Sequence, residues 1–210
     1  MRSKKKPCRN WKLYVITDAE AAGKRPLAAV VQAAVEGGAS VIQLRDKKAR
    51  DEELVKTAER LLMITRPRGV PLIINDRVNV AKAAGADGVH LGQEDGSFEA
   101  ARAALGEKAI IGRSTHSPEE ALAAEAEGFD YVGIGPVFRT PTKPSTEPVG
   151  LELVRFASRR LSVPFVAIGG IDAGNLARVR EAGAKSVAVV RAVMGAPDPR
   201  KAAEALVHNL

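Results

Sequence analysis

The sequence predicts a single α/β domain that folds as a compact (β/α)8 TIM barrel. Eight short runs of β-type residues recur along the 210 residues, segments with helical periodicity separate them, and no linker divides the chain. Strands that alternate with helices form parallel βα units, and eight such units close into a barrel. An open, doubly wound sheet is the alternative, but it favours a Gly-rich turn after the first strand. Residues 16–19 read Ile-Thr-Asp-Ala and do not form such a turn.

The predicted strands are short apolar runs, many of them rich in β-branched residues. They cover residues 13–17, 41–45, 71–75, 88–91, 109–113, 131–135, 164–168 and 186–190. Because consecutive parallel strands need a helical crossover, each segment between two runs is expected to contain a helix.

The helices are predicted from apolar spacing and from capping signals. After the second strand, one helical face carries Leu54, Ala58, Leu61 and Leu62. Ser117 and Asp198 each precede a proline and predict the first residue before a helix, and Glu120 can complete a capping box. These signals place helices where the barrel topology requires them.

The composition is that of a globular protein, with 45% hydrophobic and 27% charged residues. The single cysteine, Cys8, excludes an internal disulfide framework and a cysteine-cluster zinc site. No apolar run approaches the roughly 18 residues that span a membrane, and the basic start lacks the apolar stretch of a secretory signal. We therefore expect a soluble, cytoplasmic protein with no membrane partner.

The formal net charge of +7 arises mainly at the N-terminus, where six Lys and Arg residues precede the first acidic residue, Asp18. Nucleic-acid binding would need basic residues on a folded element, with aromatic residues for stacking, and 4% of residues are aromatic. We expect no nucleic-acid partner, a flexible basic tail over residues 1–11, and a catalytic barrel domain over residues 12–210.

The second strand predicts an anion site. Barrel enzymes place their active sites at the C-terminal ends of the strands. Side chains alternate along a strand, so Gln43, Arg45 and Lys47 share the face opposite Ile42 and Leu44. The apolar face should meet the helices, which leaves two cations at the barrel mouth to bind an anion. The alternative is a surface loop in which they pair with the acids at positions 46 and 51.

The next two strands predict a metal site. Asp76 follows the third strand, after Asn75, and Asp95 follows the fourth. Mg²⁺ commonly uses one or two carboxylates together with substrate phosphates, although each aspartate alone is equally typical of a helix cap. His90 alone is more typical of a hydrogen-bonded interior histidine than of a catalyst, and no Ser-His-Asp or Cys-His pairing stands out.

The remaining strand ends carry phosphate-binding groups. Ser114 ends the fifth strand, and the loop after the sixth carries two threonines and Lys143, although an ordinary turn explains that loop equally well. Barrels of this class bind phosphate after strands 7 and 8, where Gly169 and Gly170 let backbone N–H groups approach and residues 191–194 predict a short helix. Two phosphorylated groups and a metal indicate a magnesium-dependent diphosphate chemistry.

At these strand ends the sequence resembles the thiamine phosphate synthase family, over about residues 12–208. Each of the six motifs is weak alone, but together and in order they are specific. They are Gln-Leu-Arg-(Glu/Asp)-Lys at 43–47, Asn-Asp at 75–76, His-(Leu/Ile)-Gly-Gln-x-Asp at 90–95, Gly-x-Ser-x-His at 112–116, Gly-x-Gly-Pro with Thr-x-Thr-Lys at 133–136 and 140–143, and Ile-Gly-Gly-Ile at 168–171.

The resemblance implies a transferase that joins 4-amino-5-hydroxymethyl-2-methylpyrimidine diphosphate to 4-methyl-5-(2-phosphooxyethyl)thiazole, giving thiamine phosphate and pyrophosphate. The implied diphosphate ligands are Arg45, Lys47, Asn75, Ser114 and Lys143, of which all but Asn75 are expected to be catalytic. The implied ligands of the Mg²⁺ cofactor are Asp76 and Asp95. The implied pyrimidine contacts are Gln43 and His90, and those of the thiazole phosphate are Thr140, Thr142, Gly170 and Val190.

The sequence departs from the family in three places. Asp46 replaces a frequent glutamate, and Ala188 and Arg191 replace two serines near the thiazole phosphate. We expect the Arg191 side chain to turn outward to an acid such as Glu181; a direct contact with the phosphate is the alternative. A thiazole tautomerase of the same superfamily and a non-catalytic phosphate-sensing barrel are the competing functions. A homo-oligomer is compatible with the sequence.

Overall fold

The computed structural model describes residues 7–142 and 146–210, and its eight parallel strands close into a barrel. Each strand pairs with the next, and the eighth pairs with the first. The strands are β1 Leu13–Ile16, β2 Val41–Leu44, β3 Leu72–Asn75, β4 Gly88–Leu91, β5 Ile110–Thr115, β6 Tyr131–Ile134, β7 Phe165–Ile168 and β8 Val187–Val189. The predicted (β/α)8 barrel is confirmed, and every strand lies within two residues of its predicted bounds.

Helices follow the strands around the outside of the barrel. They are α1 Ala19–Ala22, α2 Leu27–Glu36, α3 Asp51–Thr65, α4 Val78–Ala84, α5 Phe98–Leu105, α6 Pro118–Glu127, α7 Gly150–Arg160, α8 Leu176–Glu181, α9 Arg191–Met194 and α10 Pro199–His208. Short 3-10 turns cover Pro7–Asn10 and Arg66–Arg68. In the part of the chain that the structure describes, none of these helices has the length and apolarity needed to cross a membrane.

The predicted capping residues begin two of these helices. The Ser117 side chain accepts a hydrogen bond from the Glu120 backbone N–H at 3.2 Å, and Asp198 accepts one from that of Lys201 at 3.1 Å. The capping box differs from the prediction by one residue, because Glu120 Oε2 accepts from the backbone N–H of His116, at 2.7 Å. Both helix starts are therefore set by local side-chain chemistry.

Two apolar cores follow from the alternation of side chains along the strands. Ile42 and Leu44 belong to the outer core between the strands and the helices, together with the predicted apolar face of α3. The inner core fills the barrel and includes Tyr14, Ile73 and Tyr131. The predicted orientation of β2 is therefore confirmed: its apolar face meets the helices.

The N-terminal segment differs from the predicted flexible tail over residues 1–11. Cys8 and Trp11 are each only 4% exposed and belong to the inner core. The Trp11 ring packs edge-on against Tyr131 and Tyr14, with ring centroids 5.0 and 5.6 Å away. Burial of these apolar side chains holds residues 7–11 at the amino-terminal end of the barrel. The rest of the predicted tail, residues 1–6, lies outside the described residues.

Candidate active site

A cavity of about 480 Å³ opens at the C-terminal ends of the strands. Nine predicted site residues line it: Gln43, Arg45, Asn75, His90, Ser114, Thr140, Thr142, Gly170 and Val190. Lys47 and Asp76 form an ion pair of 3.4 Å in the loops after β2 and β3. The predicted site residue Lys143 lies outside the described residues. Barrel closure thus brings side chains from distant parts of the sequence to one cavity.

The end of β2 is held by the residue that follows β1. The backbone N–H of Arg45 donates to Thr17 Oγ1 at 2.9 Å, and the Thr17 hydroxyl donates to the Arg45 carbonyl at 3.4 Å. Thr17 is 1% exposed, so water does not compete for these bonds. They fix the backbone from which Arg45 joins the cavity wall.

Asp76 occupies a strained turn directly after β3. Its φ is 62°, a left-handed value that few residues other than glycine adopt. The Arg77 N–H donates to the Asn75 carbonyl at 2.7 Å across this residue, which makes a three-residue γ-turn of the less common, positive-φ kind. Strain of this sort persists where the surrounding structure holds it, and it is concentrated at functional sites.

Asp76 and Asp95 form an acidic pair. Burial raises the pKa of Asp76 above its ordinary value, and a hydrogen bond with Asp95 and the charge of that residue raise it further. Lys47 acts in the opposite direction. The backbone N–H of Gly92 donates to Asp95 Oδ2 at 2.7 Å and fixes the second carboxylate. Two neighbouring carboxylates repel each other when both are ionised, and a bound cation relieves that repulsion.

The acidic pair fits a magnesium ion that is shared with a substrate. Mg²⁺ keeps several waters and is commonly held by one or two carboxylates plus substrate phosphates. Within residues 7–142 and 146–210, no group of three or more His, Cys, Asp or Glu is arranged to hold a metal. The donor set of Asp76 and Asp95 therefore suits a cation that takes its other ligands from a bound phosphate and from water.

Arg77 ties the loop after β2 to the turn after β3. Its Nη1 donates to the Ala49 carbonyl at 2.6 Å and to the Asp51 carboxylate at 2.9 Å, and its Nη2 donates to the Lys47 carbonyl at 3.2 Å. Asp51 thus binds Arg77 rather than the loop cations. The sequence analysis assigned no role to Arg77. Its position directly after Asp76 is the feature of the sequence that could have identified it.

A hydrogen-bonded chain of side chains forms the floor of the cavity. Gln43 Nε2 donates to the Tyr14 hydroxyl at 2.7 Å, and that hydroxyl lies 2.9 Å from the hydroxyl of Tyr131. The Tyr131 hydroxyl lies 2.9 Å from His90 Nδ1, and His90 Nε2 lies 2.9 Å from Ser114 Oγ. Burial raises the pKa of both tyrosines, so their hydroxyls keep their protons. We call these five side chains the floor chain.

Sequence reasoning missed Tyr14 and Tyr131, the two tyrosines of the chain. Tyr14 shares the inward face of β1 with Ile16, whereas Leu13 and Val15 face the helices. A search for polar groups along the inward face of every strand, and not only at strand ends, finds both. Further cavity residues without a predicted role are His116, Arg139 and Asp172.

The opposite side of the mouth, after β6 to β8, contains a backbone turn that requires glycine. Gly170 has a φ of 62°, and a Cβ at this position would lie 2.6 Å from the Arg139 carbonyl oxygen and 2.9 Å from Phe138 Cβ. Only glycine fits both constraints. Asn175 Nδ2 donates to the Gly170 carbonyl at 2.8 Å and fixes the turn from the other side.

The short helix predicted after β8 is confirmed as α9, and Val190 precedes it on the cavity wall. The Arg191 side chain is 48% exposed, and its Nη2 lies 3.9 Å from Glu20 Oε1. Its acidic neighbour is thus Glu20 rather than the expected Glu181, because α1 packs against α9. Residue 191 still contributes to the cavity wall, and Ala188 is buried inside the barrel.

Comparisons with known proteins show which family this chain resembles. A model of the family described as thiamine monophosphate synthase matches residues 13–193. A thiamine-phosphate synthase of Chloroflexus aurantiacus is 48% identical over 198 residues, which are 94% of this chain and 91% of that protein. One from Thermus thermophilus is 49% identical over 178 residues, covering 84% and 85% of the two chains.

The comparison with solved structures agrees with the comparison of sequences. A thiamine phosphate pyrophosphorylase from Pyrococcus furiosus superposes with a TM-score of 0.88 at 41% identity, covering 96% of this chain and 98% of that one. A 3-hexulose-6-phosphate synthase is 21% identical with a TM-score of 0.67, covering 95% of this chain and 99% of that one. At that identity the second likeness concerns the barrel fold alone.

Proposed function

The chain belongs to the thiamine monophosphate synthase family and is a transferase, and from this premise we propose its substrates and mechanism. It joins 4-amino-5-hydroxymethyl-2-methylpyrimidine diphosphate to 4-methyl-5-(2-phosphooxyethyl)thiazole and releases pyrophosphate. The observation that carries the proposal is a single cavity with two unlike sides. Arg45 lines the cavity after β2, beside the ion pair of Lys47 and Asp76, whereas a glycine turn and two threonines line it after β6 and β7, so the mouth offers two separate places for phosphorylated groups.

The charged side suits the diphosphate. Arg45 presents a bidentate cation on the cavity wall, and Lys47 lies 3.4 Å from Asp76. Asn75 and Ser114, at the ends of β3 and β5, add hydrogen-bonding groups to the cavity lining. Mg²⁺ held by Asp76 and Asp95 would supply further positive charge to the diphosphate oxygens. We assign Lys143 to the same group from its sequence motif.

The reaction breaks the bond between the pyrimidine methylene carbon and the diphosphate oxygen, and the bonding electron pair leaves with pyrophosphate. The electron-rich aminopyrimidine delocalises the positive charge left on that carbon. The thiazole nitrogen then donates its lone pair to the carbon, and it carries no proton to remove. No general base is needed, which agrees with the lack of a catalytic triad pattern in the sequence. Arg45 and Lys47 gain interaction energy as the leaving group gains charge, so they stabilise the transition state.

The other substrate fits the side after β6 to β8. Thr140, Thr142 and the turn at Gly170 lie on the same cavity wall as Val190. Hydroxyl and backbone N–H donors suit a phosphate monoester. Gln43 and His90 line the cavity as members of the floor chain, where the pyrimidine ring would contact them. Val166 and Ile168 also line the cavity, and such apolar side chains exclude the water that would capture the cation.

The test is release of pyrophosphate from the purified chain supplied with both substrates and Mg²⁺. We expect pyrophosphate and thiamine phosphate in equal amounts, and neither product when the thiazole phosphate is omitted. Arg45→Ala is the matched negative control because it removes a cation from the diphosphate side only. Tautomerisation of the thiazole without pyrophosphate release would identify a tautomerase, and binding of phosphate compounds without turnover would identify a sensor. Either result overturns the proposal.

A further inference from the structure

The floor chain contains two tyrosines whose role the reaction chemistry does not explain. Tyr14 and Tyr131 are 2% and 1% exposed, and they stand between Gln43 at one end and His90 at the other. The five side chains of the floor chain come from five different strands. A hydroxyl can both donate and accept a hydrogen bond, so the direction of such a chain is decided at its ends.

The Gln43 end decides the direction. An amide nitrogen donates only, so the Tyr14 oxygen accepts from Gln43 Nε2. The one hydrogen of the Tyr14 hydroxyl is then available for Tyr131, 2.9 Å away. The reverse arrangement would require the buried Tyr14 hydrogen to find another acceptor, and an unsatisfied buried donor is costly.

The hydrogen-bond direction set at Gln43 extends to the His90 end of the floor chain. With its oxygen accepting from Tyr14, Tyr131 donates its hydrogen to His90 Nδ1, at 2.9 Å. A neutral imidazole that accepts at Nδ1 carries its proton on Nε2, and Nε2 then donates to Ser114 Oγ, at 2.9 Å. Ser114 Oγ therefore serves as an acceptor within the floor chain, and its own hydrogen is not needed by that chain, so it can be donated to a ligand in the cavity that Ser114 lines.

We propose that Tyr14 and Tyr131 are positioning residues that transmit the orientation of the Gln43 amide to His90 and Ser114. They fix His90 as the Nε2–H tautomer and Ser114 as a hydrogen-bond donor to a bound anion. The two ends of the floor chain then have opposite character: Gln43 Oε1 is left to accept from an amino group, and Ser114 donates to a phosphate oxygen. The match to an aminopyrimidine diphosphate rests on the proposed function, whereas the hydrogen-bond direction does not.

The first test is the tautomer of His90 in the ligand-free full chain, read from the side-chain ¹⁵N shifts of its three histidines. Loss of one signal set in His90→Gln assigns the residue. We expect a neutral imidazole with hydrogen on Nε2 in the native chain, and a mixture of tautomers in Tyr131→Phe, which keeps the ring and removes the hydroxyl. Tyr14→Phe provides a second variant, and melting curves check that both fold.

Trp11→Phe is the matched control. Trp11 packs against both tyrosine rings but takes no part in the floor chain, so it should leave the His90 tautomer unchanged. If His90 carries its hydrogen on Nδ1, if Tyr131→Phe keeps the native tautomer, or if Trp11→Phe shifts it equally, the proposal is wrong. These outcomes are independent of whether the chain releases pyrophosphate.

The second test is kinetic. Tyr131→Phe should lower kcat/KM for the pyrimidine diphosphate roughly ten- to a hundredfold, by analogy with the loss of an outer hydrogen-bond partner that orients a metal-bound histidine. The KM for the thiazole phosphate should not change. Native kinetics in Tyr131→Phe would show that the tyrosines only fill the barrel. Absence of any turnover in the native chain, combined with the expected tautomer change, would refute the proposed function and leave the hydrogen-bond direction standing.

Discussion

The two sides of the barrel mouth are built by different means. After β2 to β4, the site contains charged side chains in the loops. Lys47 and Asp76 form an ion pair, and Asp76 occupies a strained turn. Arg77 donates a hydrogen bond that joins this turn to the loop after β2. After β6 to β8, the threonine hydroxyls and several charged side chains are carried on glycine-containing backbone, with a left-handed turn at Gly170 and a short helix after Val190. The first side depends mainly on which functional groups are present, and the second depends in addition on the path of the main chain.

This difference indicates what each side tolerates. Removing a charge on the first side should leave the fold intact and lower the rate, because the charge acts on the reacting groups. On the second side, an added Cβ at the Gly170 turn should displace the backbone and so weaken binding of the phosphate.

The largest effect is expected for Asp76→Asn. Asparagine tolerates the positive φ of 62° at this position, so the substitution removes the charge and keeps the turn. Loss of a ligand from a site with few protein ligands should reduce Mg²⁺-dependent turnover by about 10³-fold or more. The melting temperature should be unchanged or higher, because burial and Asp95 already disfavour the ionised carboxylate. Turnover near the native value would refute the metal assignment.

Lys143→Ala should lower turnover on the order of 10²–10³-fold, the usual range for one preorganised electrostatic contact. The KM for the thiazole phosphate should stay constant, since we assign this lysine to the departing pyrophosphate. Lys48→Ala, which removes an exposed lysine from the loop after β2, is the control. A rise in the thiazole-phosphate KM with native turnover would instead assign Lys143 to the thiazole phosphate.

Gly170→Ala should raise the KM for the thiazole phosphate about tenfold, which corresponds to about 1.4 kcal/mol. The added Cβ would stand 2.6 Å from the Arg139 carbonyl oxygen, so the turn must move. Gly69→Ala is a close control, because Gly69 has a φ of 65° with open space around it. It should lower the melting temperature and leave both KM values alone. Equal KM values in native chain and Gly170→Ala would show that the thiazole phosphate binds elsewhere.

The smallest effect is expected for Arg191→Ser. The guanidinium is half exposed and lies 3.9 Å from Glu20, so we expect the backbone of α9 rather than this side chain to meet the phosphate. The thiazole-phosphate KM should change little at any salt concentration. A tenfold rise, about 1.4 kcal/mol, with the pyrimidine-diphosphate KM unmoved, would make Arg191 a substrate ligand and remove the contrast between the two sides.

The sequence by itself determined the barrel and most of its mouth. Alternation along β2 placed Gln43 inside and Ile42 outside, because strand side chains alternate regardless of what the strand pairs with. Capping chemistry located the starts of α6 and α10, since Ser117 and Asp198 act within one turn of their own helices. Once the fold was predicted, the residues at the strand ends could be expected to line the cavity, because a parallel barrel collects the C-terminal ends of its strands at one face.

Only the tertiary structure decided the contacts that join distant segments. Tyr14 and Tyr131 are 117 residues apart and meet through barrel closure, which no local pattern encodes. Trp11 is buried against the same two rings, so this part of the expected tail belongs to the inner core. Helix packing likewise decided the acidic neighbour of Arg191. Because α1 packs against α9, this neighbour is Glu20 and not the expected Glu181. Periodicity and capping depend on neighbours in sequence, whereas these contacts depend on where the chain returns in space.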